Sequence, residues 1–144
     1  MEYKKMGDEI YLRMDKGEKV METIKVVCKK EKVCGGHFQG IGACGSVTLS
    51  TYLPAAKDFL EHTFTGMLEM VSLMGNISAA GSELFLHSHA VFSYLNVRQE
   101  LAVAAGHLKE AEISYTGEIV ITPTDQAIDR KIDPQTGIGI WKLS

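Results

Sequence analysis

Only one segment of this sequence has the periodicity of an amphipathic helix, and this limits the fold more than any other feature. In residues 18–30 the apolar positions recur at i, i+4, i+7 and i+8, as Val20, Ile24, Val27 and Cys28. Just before them, Asp15 and Glu18 have the spacing of a capping box. The later apolar stretches are β-branched or alternate with polar residues, as strands do. One early helix and many later strands predict an α+β fold with a mostly antiparallel sheet.

The predicted strands follow one another through short turns. They cover 8–14, the stretch SVTLSTYL after a glycine-rich bend, a methionine-rich region interrupted by Gly66 and Gly75, then 83–95, 101–108, 111–122 and a closing strand near the C-terminus. The glycine-rich bend lacks the Gly-Lys-Ser/Thr of a phosphate loop, so His37 within it is assigned a structural role. The sequence contains neither a repeat nor a linker, which predicts that residues 1–144 form a single domain.

Charge and hydropathy exclude several functional classes. The formal net charge is −3, which predicts no general attraction to nucleic acid, and specific DNA binding is not expected. No apolar run reaches the roughly 18 residues of a membrane span, and the N-terminus lacks the apolar core of a secretory signal. Cys28, Cys34 and Cys44 are an odd set without a Cys-x-x-Cys motif, which predicts free thiols. We therefore expect a soluble cytoplasmic protein without a membrane partner.

The stretch FLHSHAVFSY contains two histidines in an otherwise apolar strand pattern. Because residues two apart in a strand point to the same face, His87 and His89 share one side, with Ser88 on the other. Neighbouring same-face positions are about 6.5–7 Å apart, so two imidazoles that lean together can bind one metal ion. Two histidines packed by chance would look the same, so the pair alone leaves both interpretations open.

A third histidine favours the metal interpretation. His107 returns to the same neighbourhood if 83–95 and 101–111 pair as a hairpin, and Gly106 before it permits a close backbone approach. Three histidines with an open fourth position are typical of a catalytic zinc site. Nickel, iron, manganese or copper could also bind, because imidazole suits several divalent metals. His87, His89 and His107 are therefore the predicted metal ligands.

The sequence resembles the plant- and prokaryote-conserved (PPC) domain family across roughly residues 8 to 122. The similar segments, in order, are YLRMDKGEKVMETI, FQGIGACGSVTL, MLEMVSLMGNIS, FLHSHAVF and GHLKEAEISYTGEIVI. The family's His-x-His corresponds to His87 and His89, with Ser88 in place of an aliphatic residue. Its Gly-Gly-His-Leu corresponds to the segment ending in His107 and Leu108, with Ala105 in place of the first glycine.

This resemblance implies an α+β domain that assembles as a homotrimer and carries a metal site. It also implies a fold similar to that of acetolactate decarboxylase, which holds zinc with a His-x-His pair and a further histidine. Plant members of the family add an AT-hook, and no such motif occurs here. They also carry a Gly-Arg-Phe-Glu-Ile-Leu segment for partner proteins. Its counterpart here keeps Glu69 but has Met67 in place of the arginine.

Three functions remain open from the sequence. The first is a trimeric metal-binding PPC domain without chemistry of its own, and the second is a lyase or hydrolase acting on a small carboxylate or carbonyl compound at the metal. Glu69 and Glu118 are then candidates for acid–base groups, for residues around the metal ligands, or for interface contacts. The third is a DNA-associated regulator, as the family's common DNA-binding label suggests. No organic cofactor is predicted, and any catalytic residue is unknown.

Overall fold

The computed structural model describes residues 1–81 and 83–144. Its elements are β1 (Glu2–Met6), β2 (Glu9–Asp15), α1 (Val20–Lys30), β3 (Gly36–Leu53), β4 (Asp58–Ala80), β5 (Glu83–Leu95), β6 (Leu101–Pro123), β7 (Asp129–Ile132) and β8 (Gly139–Lys142). The predicted α+β class, with a mostly antiparallel sheet and one helix near the N-terminus, is confirmed for this part of the chain. No helix in these two ranges combines the length and apolar character needed to cross a bilayer.

Four long strands close the sheet on itself. β3 pairs with β4 and β6, and β5 pairs with the same two strands on the other side, all antiparallel. β2 and β1 extend the sheet from the C-terminal half of β6, while the β7–β8 hairpin joins the end of β4. The inward side chains and one face of α1 form a single apolar core. The opposite faces of the four long strands are therefore the outer surface.

The helix confirms the predicted apolar face but not the predicted start. Its buried residues include Val20, Ile24, Val27 and Cys28, as the periodicity indicates. It begins at Val20, and Lys19 at the N-cap makes no side-chain capping bond. The carboxylate of Glu110 on β6 accepts hydrogen bonds from the backbone N–H groups of Met21 (2.8 Å) and Glu22 (3.2 Å) instead. The predicted capping pair closes only the preceding turn, where Glu18 accepts the Asp15 N–H at 2.8 Å.

The two predicted breaks in the methionine-rich region are wrong, because β4 runs through both. Gly66 has a φ of +123° beside a register shift, which is how glycine serves a bulge within a strand. Gly75 lies under the ring of Phe38, and a Cβ there would be 2.1 Å from its Cζ. The predicted gap between 101–108 and 111–122 is also wrong, since β6 is continuous. Glycines in these long strands mark bulges and close packing rather than turns.

Candidate metal centre

The central histidines lie on the outer face of β5. Ser88 and Ala90 are buried, whereas His87 is half-buried and His89 exposed, so the predicted alternation is confirmed. The rings of His87 and His89 have centroids 5.3 Å apart. Because β5 is held between β4 and β6, both rings are attached to a paired strand rather than to a loop.

His107 joins them through the pairing of β5 with β6, as the sequence predicts. It lies directly opposite His89 in the register, and the two ring centroids are 4.1 Å apart. The centroid distance to His87 is 5.1 Å. Gly106 permits this arrangement, since a Cβ there would lie only 3.1 Å from the carbonyl oxygen of Ser50 on β3. One ligand atom from each histidine lies within 4.8 Å of the other two.

The surroundings of two of the rings favour the neutral form, which is the form that binds metal. Burial lowers the pKa of His87, and the neighbouring His107, His89 and Arg130 lower it further. Burial also lowers the pKa of His107, with a further contribution from His89. Metal ions bind the neutral imidazole, so a lowered pKa reduces competition from protons. The edge of the Phe59 ring, 5.1 Å from the His107 ring, packs against the same cluster.

The donor set fits a divalent transition metal. Zinc–nitrogen bonds are about 2.0–2.1 Å, so tetrahedral ligand atoms lie about 3.3 Å apart, and the three candidate nitrogens already lie within 4.8 Å of one another. Within 1–81 and 83–144, no hydrogen bond engages any of the three rings. Three protein ligands leave a coordination position open, and all three histidines line one pocket of about 990 Å³. The arrangement can therefore hold an ion and admit a further ligand to it.

The two predicted carboxylates are not brought to this cluster. Glu69 pairs with Ser93, four residues along β5 from His89, which corresponds to about 13 Å. Glu118 lies opposite Ile41, at the other end of β6 from the histidines. The positions of Glu69 and Glu118 therefore do not support a role around the metal ligands, and a role of either residue at an interface stays a prediction. His37 is exposed on β3 and is not part of the three-histidine group.

A charged residue that the sequence analysis did not select also lines the pocket. Arg130 is on β7, in a segment predicted as a polar turn. Nothing in the local sequence identifies it, because the β7–β8 hairpin is brought to the histidines by long-range pairing with the end of β4. The guanidinium carbon lies 4.3 Å from the centre of the Phe85 ring.

Fold and site together define the class of the protein: a small α+β domain with a three-histidine cluster on the outer face of its sheet. A family model narrows this class. The Plants and Prokaryotes Conserved (PCC) domain, the PPC family named above, matches residues 1–125, and the chain belongs to this family. The comparison with curated proteins found no match.

Solved structures from three organisms share the fold over nearly their whole length. A protein from Bacteroides thetaiotaomicron, described as a candidate DNA-binding protein, is 28% identical, with a TM-score of 0.90 over 99% of this chain and 96% of its own. A metal-containing protein from Archaeoglobus fulgidus is 28% identical, with a TM-score of 0.83 over 98% and 96%. A plant- and prokaryote-conserved protein from Pyrococcus horikoshii is 28% identical, with a TM-score of 0.81 over 99% and 96%.

Proposed function

We propose that residues 1–144 form one trimeric metal-binding domain whose His87, His89 and His107 hold a divalent ion, with zinc as the favoured metal. The observation that carries this proposal is the convergence of three imidazole nitrogens within 4.8 Å beside an open pocket. The similar Archaeoglobus fulgidus protein is described as metal-containing, which supports the same assignment. Zinc is favoured because three nitrogen ligands with one open position are common for it.

Metal analysis of purified protein tests this assignment. The double variant His87→Ala/His89→Ala should lose zinc, because one remaining imidazole cannot hold the ion. His62→Ala is the matched control, since His62 is exposed on β4 and is not part of the three-histidine group. Equal zinc content in the double variant and the control would refute the assignment.

A homotrimer is supported by the apolar outer surface. A depression of about 1110 Å³ on this surface has apolar residues in its lining, among them Ile41 and Val71, together with charged residues such as Arg13 and Glu118. Val71 is 54% exposed and Met74, which lines the same depression, is 64% exposed; large exposed apolar side chains that share one depression indicate an interaction site. Met70 of the same strand is 1% exposed and belongs to the core. A second copy of the chain is the proposed occupant, as the family resemblance implies.

Light scattering tests assembly with Val71→Asp, which replaces an exposed apolar side chain of this depression by a charged one. We expect the wild type to be a trimer and the variant to dissociate, whereas Val26→Asp on the outer side of α1 should remain a trimer. A monomeric wild type at micromolar concentration would contradict the assembly proposal.

We also propose that assembly supports the metal site. A folded monomeric Val71→Asp that binds zinc at full strength would contradict only this coupling.

A second candidate, a metal-dependent enzyme, is favoured by the room beside the histidines. The pocket could admit a small carboxylate or carbonyl compound to the open position of the metal, where the ion would polarise an oxygen or activate water. Substitution with cobalt(II) tests this candidate through the visible spectrum, which depends on the coordination of the ion. A spectrum that does not change when small ligands are added would favour a closed, purely structural site.

A cytoplasmic location is also proposed. The three cysteines are free, and free thiols are typical of reducing compartments. Cell fractionation with a compartment marker would test this proposal, and recovery in an extracytoplasmic fraction would contradict it.

A further inference from the structure

The pocket beside the histidines has an unusual balance of charge. Besides the three imidazoles, its lining includes the cationic residues Lys57, Arg130 and Lys131. Among residues 1–81 and 83–144, no aspartate or glutamate lines it. Asp133 in the turn of the β7–β8 hairpin directs its carboxylate to Thr136 instead, accepting bonds from the N–H (3.1 Å) and the hydroxyl (2.6 Å). A bound divalent ion would increase the positive charge further.

Arg130 is held in place by contacts that leave part of its hydrogen-bonding capacity free. One terminal nitrogen donates to the hydroxyl of Ser78 at 3.2 Å, and the other donates to the carbonyl oxygen of Gly139. The guanidinium lies over the Phe85 ring, 4.3 Å from its centroid. A guanidinium has five N–H donors, so three remain for a ligand. The side chain is therefore oriented before any ligand binds.

In the part of the chain that the structure describes, no carboxylate lies within ion-pairing distance of Arg130. Ion pairs within 4.0 Å join six pairs of groups in the ranges that the structure describes, and none includes Arg130, Lys57 or Lys131. A partly buried guanidinium without an anionic partner has lost hydration that an ion pair would offset. Its charge also acts on the metal site, because it contributes to the lowered pKa of His87. The cation and the histidines thus face the same space.

We propose that this pocket binds a small organic acid, with Arg130 holding its carboxylate next to the proposed metal ion. The guanidinium fork matches the two oxygens of a carboxylate. The apolar lining, which includes Phe59, Phe85 and Ile138, suits the carbon body of such a molecule. The inference rests on the proposed metal-binding function; of the carboxylate and carbonyl compounds considered above it selects the carboxylate, and it names Arg130 as the residue that holds it. Arg130 and Ile138 lie beyond residues 1–125, which the family model matches.

Binding of benzoate, compared with its neutral analogue benzamide, tests the inference on the zinc-loaded protein. Calorimetry should show benzoate binding at least about tenfold more tightly, because a hydrogen bond to a charged group contributes more than a neutral one. Arg130→Met should weaken benzoate binding at least about tenfold and leave benzamide nearly unchanged. Lys142→Met is the matched control, because Lys142 is exposed on the same hairpin but does not line the pocket.

The chain contains one tryptophan, and this residue reports whether the hairpin stays docked. Trp141 lies opposite Arg130 in the β7–β8 register, so an unchanged emission maximum in Arg130→Met would show that the hairpin is intact. If the emission maximum shifts, Arg130→Lys is used in place of Arg130→Met, because lysine retains the charge but lacks the planar guanidinium. The wild-type preference for benzoate over benzamide needs no variant at all.

The outcomes separate the two proposals. Equal affinity for benzoate and benzamide, including no binding of either, would overturn the carboxylate inference. Tighter binding of phenyl phosphate than of benzoate would overturn the assignment of a carboxylate as the ligand. A protein that binds no zinc but prefers benzoate through Arg130 would refute the metal function and leave the anion site standing. If the protein binds zinc but Arg130→Met loses no affinity for benzoate, the anion site is refuted and the metal function is retained.

Discussion

Replacing Gly75 by alanine should destabilise the protein, because the structure leaves no room for a methyl group at this position. An added Cβ would lie 2.1 Å from Cζ and 2.6 Å from both Cε atoms of the Phe38 ring. Phe38 is only 1% exposed and is among the largest fully buried side chains, so the ring cannot turn into solvent. Overpacking of this kind costs about 1–3 kcal/mol in the free energy of unfolding. For a chain of this size, the melting temperature should fall by about 2–12 °C.

The same substitution should also weaken metal binding. Gly75 lies opposite Ser88, between the register partners of His87 and His89. If Phe38 and the strand move apart to admit the methyl group, the two imidazoles move with β5. Zinc titration of Gly75→Ala should therefore give a larger dissociation constant than that of the wild type.

Thermal unfolding at fixed protein and metal concentrations is the appropriate assay, with Gly45→Ala as control. A Cβ at Gly45 would meet only the Ser114 Cβ, at the ordinary distance of 3.6 Å. Such a substitution should be neutral or stabilise by about 0.4–1 kcal/mol through the unfolded chain. Phe38→Leu combined with Gly75→Ala should cost less than the sum of the two single changes, since the leucine leaves space. Additive effects, or equal stability of the two alanine variants, would refute the packing argument.

Three further predictions concern protons, DNA and thiols. The pKa values of His87 and His107 are lowered in the folded protein, so both rings should be neutral near pH 7. Protons compete with the metal only at lower pH, and zinc affinity should therefore weaken as the pH falls below about 6.5, the ordinary histidine value. Equal affinities at pH 7.5 and 5.5 in zinc titrations would contradict this. The protein should not bind DNA specifically, although the similar Bacteroides thetaiotaomicron protein is described as a candidate DNA-binding protein; sequence-selective binding near or below about 10⁻⁸ M at physiological salt would overturn this view. Cys34 is exposed, whereas burial raises the pKa of Cys28 and Cys44 to about 12. A thiol reagent should therefore label Cys34 alone in the native protein. Labelled peptides that contain Cys28 or Cys44, detected by mass spectrometry, would contradict this.

Local patterns were sufficient for the fold class, the helix face and the three histidines. The alternation in FLHSHAVFSY predicts which side of β5 carries His87 and His89, and the structure has the same alternation. His107 could be added because a hairpin between neighbouring segments is a local connection. Turns were less well predicted, because glycine is common both in turns and in crowded strands. Gly66 and Gly75 therefore suggested breaks in a strand that is continuous.

The sequence by itself determined the class of fold, which depends on periodicities of two and 3.6 residues, and the proposed metal ligands, which depend on strand alternation and on a hairpin between neighbouring segments. Only the tertiary structure decided what surrounds them. Glu110 caps the N-terminal end of α1, about ninety positions earlier in the chain, because β6 passes next to the start of that helix. Met70 faces the core whereas Met74, an even number of positions further on, faces outward, because a bulge between Met70 and Ser72 shifts the alternation of β4 by one residue. Arg130 reaches the histidine pocket through the docking of the C-terminal hairpin. Contacts between residues so far apart in sequence depend on how the strands pair, and no local pattern records that pairing.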